Sequence, residues 1–124
     1  MYVRENGLLL PPGWVAETVL WLVDNDIFIG RASIRHSLNE HLLKIGGHIG
    51  YFIRPSMRRR GYGKSILNLA LIEAKKMGLQ KVLVTCDETN TGSRKIIEAN
   101  GGVLENIVEN GLDMPPKRRY WITI

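Results

Sequence analysis

Polar and apolar positions change period along this chain, and the changes mark its elements. ETVLWLV at 17–23 and IFIGRASIR at 27–35 are short runs rich in β-branched and aromatic residues. They flank Asp24, Asn25 and Asp26, a turn signal, which predicts an antiparallel hairpin. SLNEHLLKIGG at 37–47 reads as a short connection with one helical turn, ended by Gly46 and Gly47. HIGYFIR at 48–54 alternates and predicts a third strand, stopped by Pro55. The period then becomes helical. Ile66, Leu67, Ala70, Leu71, Ala74 and Met77 form one apolar stripe, with Lys75 and Lys76 in the last turn and Gly78 as the stop. KVLVTC at 81–86 is short, apolar and β-branched, as a buried strand is. TGSRKIIEAN at 91–100 predicts a second helix, with Asn90 at its start and Gly101 behind it. GVLENIV at 102–108 and RRYWITI at 118–124 read as two closing strands around the loop ENGLDMPPK.

The expected order is β-β-β-α-β-α-β-β. A strand–helix–strand unit in the middle requires a parallel pair with a right-handed crossover. The flanking hairpins require antiparallel pairs. The fold class is therefore α/β or α+β: a mixed central sheet with flanking helices, in one domain over residues 1–124. The length of 124 residues suits a single core.

Composition adds little until charge is considered. With 44% hydrophobic and 23% charged residues the chain looks globular. Its N-terminal LLL run is too short for a signal-peptide core, and no apolar run approaches the roughly 20 residues that span a bilayer. The lone Cys86 allows no internal disulfide, and a cytoplasmic location is the default expectation. The net charge of +5 is uneven, since Arg54, Arg58, Arg59, Arg60 and Lys64 lie together. Such a field favours an anionic ligand. Nucleic acid would want a longer basic stripe with stacking aromatics.

The basic cluster contains RRRGYGKS at 58–65, just before the strongest helix. Free N–H groups and the positive dipole end of a helix N-terminus bind phosphate. Gly61 and Gly63 remove side chains where the phosphate must approach. A tight strand-to-helix turn with solubilising arginines is the competing explanation. The triphosphate-loop pattern is excluded because Arg58 stands where its first glycine belongs. The dinucleotide fingerprint is excluded because Ile66 stands at its third glycine.

RRRGYG nonetheless matches the R/Q-x-x-G-x-G/A signature of the GNAT superfamily of acyltransferases, through Arg58, Gly61 and Gly63. IGYFIRP before it resembles that fold's splayed fourth strand. VLVTCDETNTGSRKIIEANGG after it resembles the fifth strand, the Asn-led helix and the closing glycine. The resemblance runs from Gly47 to the C-terminus. It implies an acetyl-CoA-dependent N-acetyltransferase acting by direct attack of an amine in a ternary complex. It implies that backbone groups of Arg59, Arg60, Gly61, Tyr62, Gly63 and Lys64, with Arg58, hold the CoA pyrophosphate. The backbone of Tyr51, Phe52 and Ile53 would pair with the pantetheine arm as an added strand. Asn90 and Ser93 would line the other wall, although Asn90 also suits a plain helix cap. Lys95 would be within reach of the nucleotide 3′-phosphate.

Two departures bear on chemistry. The family's tyrosine that protonates the leaving thiolate falls at Ile97, which leaves Tyr51 or Tyr120 as substitutes. Where some members place a glutamate base, this chain has His48, whose side chain titrates near neutrality. His36 and His41 share no metal-ligand spacing with Cys86, so no metal is expected. Only about 15 residues precede the first hairpin strand, so the helices that open the family fold are short or missing. Either the chain is truncated or a partner subunit supplies the acceptor wall, and the uncovered edge favours a homodimer. A non-catalytic acyl-CoA-binding module and a basic nucleic-acid-binding domain remain alternatives. The acceptor amine is left open.

Overall fold

The computed structural model of the protein describes residues 2–6, by their backbone, and 16–124. Among these residues seven strands form one sheet: β1 (Tyr2–Asn6), β2 (Glu17–Asp24), β3 (Ile27–Arg35), β4 (Ile49–Ile53), β5 (Lys81–Asp87), β6 (Val103–Val108) and β7 (Lys117–Thr123). The spatial order is β1-β2-β3-β4-β5-β7-β6. Helix α1 (Tyr62–Lys76) joins β4 to β5, and α2 (Thr91–Ala99) follows β5. The mixed α+β sheet is the expected one, with one correction. The described chain starts with β1, antiparallel to β2, which the expected order lacked. Its five residues YVREN are too few and too polar to stand out as a strand. Residues 7–15, on which the expected shortage of opening helices turns, lie outside the described residues.

The β2–β3 hairpin turns at Asn25 and Asp26, both at positive φ (49° and 64°). Two left-handed residues match the right-handed strand twist, and Asn and Asp tolerate that conformation. Register then sets which side chains go inward. Thr18, Leu20 and Leu22 of β2 and Ala32 and Ile34 of β3 are buried, while Trp21 and Arg31 face outward.

Both helices pack on that buried face. Ile66, Leu67, Ala70 and Ala74 of α1 are at most 1% exposed and meet Ile34, Ile49, Val82 and Val84 of the sheet. Their spacing places all four on one helical face. Ile97 of α2, with Tyr120 and Ile122 of β7, completes the core. The five-residue connection Leu42–Gly46 forms a wide π-type turn. Among the described residues no helix is long and apolar enough to cross a membrane.

Candidate active site

The sheet is weakest where β4 meets β5. This is its parallel pair, and it is held at one register position, Ile49 opposite Val84. The neighbouring β3–β4 and β5–β7 pairs are antiparallel and run the full length of β4 and of β5. Beyond Ile49, β4 leaves β5, and its edge toward β5 is free.

The closed end of that splay is a clasp. Gly47 sits at φ 72° and ψ −178°, a conformation essentially restricted to glycine. Next to it, His48 N–H donates to the Leu83 carbonyl (2.7 Å), and Leu83 N–H donates to His48 Nδ1 (2.9 Å). The imidazole thus stands in for a strand carbonyl. Its ring meets Trp121 edge-on at 6.4 Å between centroids. Burial lowers the His48 pKa, so the neutral ring is favoured. Thr85 Oγ1 donates to the Ile45 carbonyl (2.5 Å) and ties β5 to the π-type turn.

The open end is built by the glycine-rich turn. Arg59 and Gly61 are left-handed (φ 63° and 83°), and no side chain caps α1 at Gly61. Alternating left- and right-handed residues turn successive N–H groups toward one point, and an uncapped first turn adds its own free donors. Arg58 is held in place by its Nε–H bond to the Ile53 carbonyl (3.0 Å), with its guanidinium 5.7 Å from the Phe52 ring centroid. Gly63 lets the helices approach, since a Cβ there would lie 2.6 Å from Ile96 Cδ1.

Between these ends lies a cleft of about 490 Å³. One wall is Tyr51, Phe52 and Ile53 of β4, and the second is Asn90, Gly92, Ser93 and Ile96 at the start of α2. Arg58, Arg59, Gly61, Gly63 and Lys64 form its basic end. The lining carries three cationic side chains and no carboxylate, which suits a polyanion with a long neutral arm. Among the described residues no cluster of three or more His, Cys, Asp or Glu side chains could hold a metal ion.

The expected site residues separate into groups. Tyr51, Phe52, Ile53, Arg58, Arg59, Gly61, Gly63, Lys64, Asn90 and Ser93 come together in the cleft. Arg60 and Tyr62 do not line it. Arg60 is exposed, and Tyr62 packs against the core because the helix start turns it inward. Lys95 is exposed and also lies outside the lining. Asn90 caps α2, its side-chain oxygen accepting from Ser93 N–H (3.1 Å).

The proposed catalytic trio is not brought together. His48 is buried at the closed end with its basic lone pair in use. Tyr120 is 1% exposed, donates to Glu98 Oε2 (2.8 Å) and accepts from Arg118 Nη1 (3.2 Å). Tyr51 alone of the three lines the cleft, with its hydroxyl donating to Ser93 Oγ (3.2 Å). Burial raises its pKa, so it remains a proton donor at neutral pH. Ile97 is fully buried in the core, and its neighbour Ile96 faces the cleft. Gly92 and Ile96 were not anticipated. The i, i+3 spacing of Asn90, Ser93 and Ile96 was the available signal for the second of them.

Comparison with known proteins places the fold in a family. Residues 5–103 match the family model described as the acetyltransferase (GNAT) domain. The chain belongs to that family. No curated protein matches the sequence significantly. Among solved structures, yncA of Salmonella typhimurium, assigned as an acetyltransferase and determined with acetyl-CoA, superposes with a TM-score of 0.69 at 14% identity. That match covers 86% of this chain and 64% of that one. The spermidine N-acetyltransferase SpeG of Vibrio cholerae (F149A mutant) gives 0.71 at 18% identity, covering 86% and 65%. A GNAT-family acetyltransferase of Streptococcus pneumoniae gives 0.71 at 18%, covering 87% and 67%. This chain therefore spans about two thirds of the length of such proteins, and at these identities the likeness is one of fold.

Proposed function

We propose that the protein is an acetyl-CoA-dependent N-acetyltransferase. The observation that carries this is the continuity of the cleft. A basic, uncapped glycine turn opens directly onto the free edge of β4. One end suits a pyrophosphate and the other suits an amide-bearing arm. Backbone N–H groups from Arg59 to Lys64 would hold the pyrophosphate, with the Arg59 and Lys64 charges beside it. The β4 edge at Tyr51, Phe52 and Ile53 would pair with the pantetheine amides as an added strand. Asn90 would donate its side-chain N–H to the arm, since its oxygen already caps α2.

Acetyl transfer then follows from position. An acceptor amine, reacting as the free base, attacks the thioester carbonyl. The new N–C bond forms as the C–S bond breaks, and the electron pair leaves on sulphur. Tyr51, protonated and oriented by Ser93, gives its proton to the departing thiolate. The amine nitrogen loses one proton to solvent, and solvent returns one proton to the Tyr51 phenolate, which closes the balance. Backbone N–H groups of β4 would polarise the carbonyl oxygen as charge develops there. His48 holds the closed end of the splay in this scheme, because its Nδ1 lone pair is engaged by Leu83.

Calorimetric titration with acetyl-CoA tests the binding half. Arg59→Glu combined with Lys64→Glu should weaken affinity by about 100-fold or more, since two charge-assisted contacts become repulsive. Unchanged affinity in that variant would remove the phosphate assignment. Release of free CoA thiol with amines tests the catalytic half and separates an enzyme from a binding module.

A further inference from the structure

The cleft lies on the helix side of the sheet, but the acyl end of a ligand lying in it would have to leave on the other side. An arm running along the free edge of β4 from the glycine turn reaches Gly50, then meets the Ile49–Val84 pair that closes the sheet. On the helix side that closure is solid core, with Ile49 1% and Val84 0% exposed. On the opposite face Gly50 presents no side chain. The atoms around that gap therefore meet whatever molecule accepts the acyl group.

The nearest group there is Arg35 of β3. A Cβ built on Gly50 would lie 3.6 Å from Arg35 Nη1 and 3.9 Å from Nη2. The guanidinium is half-buried, and Nη1 donates to the Gly46 and Gly47 carbonyls at 3.3 Å each. Among the described residues no carboxylate pairs with it, although Glu17 is its register partner on β2. Two other arginines are matched, half-buried Arg118 by Glu88 and buried Arg119 by Glu105. Ser33, directly opposite Gly50, and Arg31 share the face of Arg35 by strand alternation. A half-buried guanidinium that no carboxylate of the described residues pairs with, beside a glycine at the end of the cleft, is built to receive an anion.

We infer that the acceptor is a small amine carrying a carboxylate close to its amino group, an amino-acid-type molecule, with Arg35 binding the carboxylate. The anion on Arg35 would set the amine over Gly50, at the thioester. The same charge disfavours polyamines, whose ammonium groups would face Arg35 and Arg31. This rests on the acetyltransferase assignment above.

The test is thiol release from acetyl-CoA with matched amines: methionine against 3-(methylthio)propylamine, phenylalanine against phenethylamine, and spermidine alone. Acetyl-CoA affinity is measured separately by calorimetry on the same proteins. The carboxylated member of each pair should lead by about 10-fold or more in kcat/KM, the worth of one charge-assisted hydrogen bond. Arg35→Gln removes the charge and keeps a polar, uncharged side chain at that position. It should erase the preference through KM, by about 10- to 100-fold, with acetyl-CoA affinity unchanged, and Arg35→Lys should restore part of it. Equal or better turnover of the decarboxylated amines or of spermidine overturns the inference. So does acetyl-CoA binding with no turnover of either amino acid. Absence of acetyl-CoA binding to the wild type instead overturns the acetyltransferase assignment, and this inference with it.

Discussion

Replacing Gly47 by alanine should unfold the protein at a markedly lower temperature than the same change at Gly101. Both glycines are left-handed, at φ 72° and 90°, so both substitutions incur backbone strain. Their surroundings differ. A Cβ at Gly101 meets nothing within 4 Å, whereas one at Gly47 lies 2.6 Å from the Leu83 carbonyl oxygen. That oxygen is backbone, and it already accepts His48 N–H. The alanine can be accommodated only by moving the start of β4 away from β5. Movement breaks the His48 N–H bond and the bond from Leu83 N–H to the imidazole. Strain of about 1–2 kcal/mol is expected at Gly101, and about 3–5 kcal/mol at Gly47 once two buried hydrogen bonds are added. For a chain of this size that is roughly 3–8 °C against 10–20 °C in Tm. Thermal unfolding followed by circular dichroism, with urea titration at 25 °C, measures both. If the two variants agree within about 1 kcal/mol, the clasp at Leu83 is not what closes the sheet.

The clasp also sets a pH dependence. The His48 pKa is lowered on folding, so the unfolded chain binds more protons below its ordinary value of 6.5. This stability is fully present above pH 6.5 and is lost as pH falls through the folded value; urea midpoints should drop in that window, and His48→Gln should flatten the drop. Tyr51→Phe should lower kcat by about 10- to 100-fold while leaving acetyl-CoA affinity intact, because only proton delivery is removed. A loss of affinity equal to the loss of rate would instead make Tyr51 a binding residue. The affinity of the wild type for acetyl-CoA should fall as salt rises, and Arg59→Glu with Lys64→Glu should flatten that dependence in calorimetry.

Much of the fold is legible because its determinants are local. Asn25 and Asp26 can both adopt positive φ, so the first hairpin is readable from a tripeptide. The stripe from Ile66 to Ala74 states a helix and its buried face at once. The glycine turn is readable too, because Gly61 and Gly63 serve the helix start on which they sit. The strand β1 is not, since its pairing with β2 supplies what its own five residues lack.

The roles of single side chains were less accessible. Tyr51, Tyr120 and His48 are equivalent candidates by chemistry alone. Their separation depends on contacts far apart in sequence: Tyr51 with Ser93, Tyr120 with Glu98, His48 with Leu83. Ile96 rather than Ile97 faces the cleft because of how α2 is rotated against α1, at the close approach allowed by Gly63. Arg35 carried no signal whatever as a residue near the end of an ordinary strand. It matters because the crossover through α1 brings β4 beside β5, where they pair at one position only, and because β3 lies alongside. Periodicity, turn chemistry and capping act within a few residues and so are written in order along the chain. The anion site proposed at Arg35 draws on β3, on the turn at Gly46 and Gly47 and on β4, and nothing local in any one of them encodes where the others will lie.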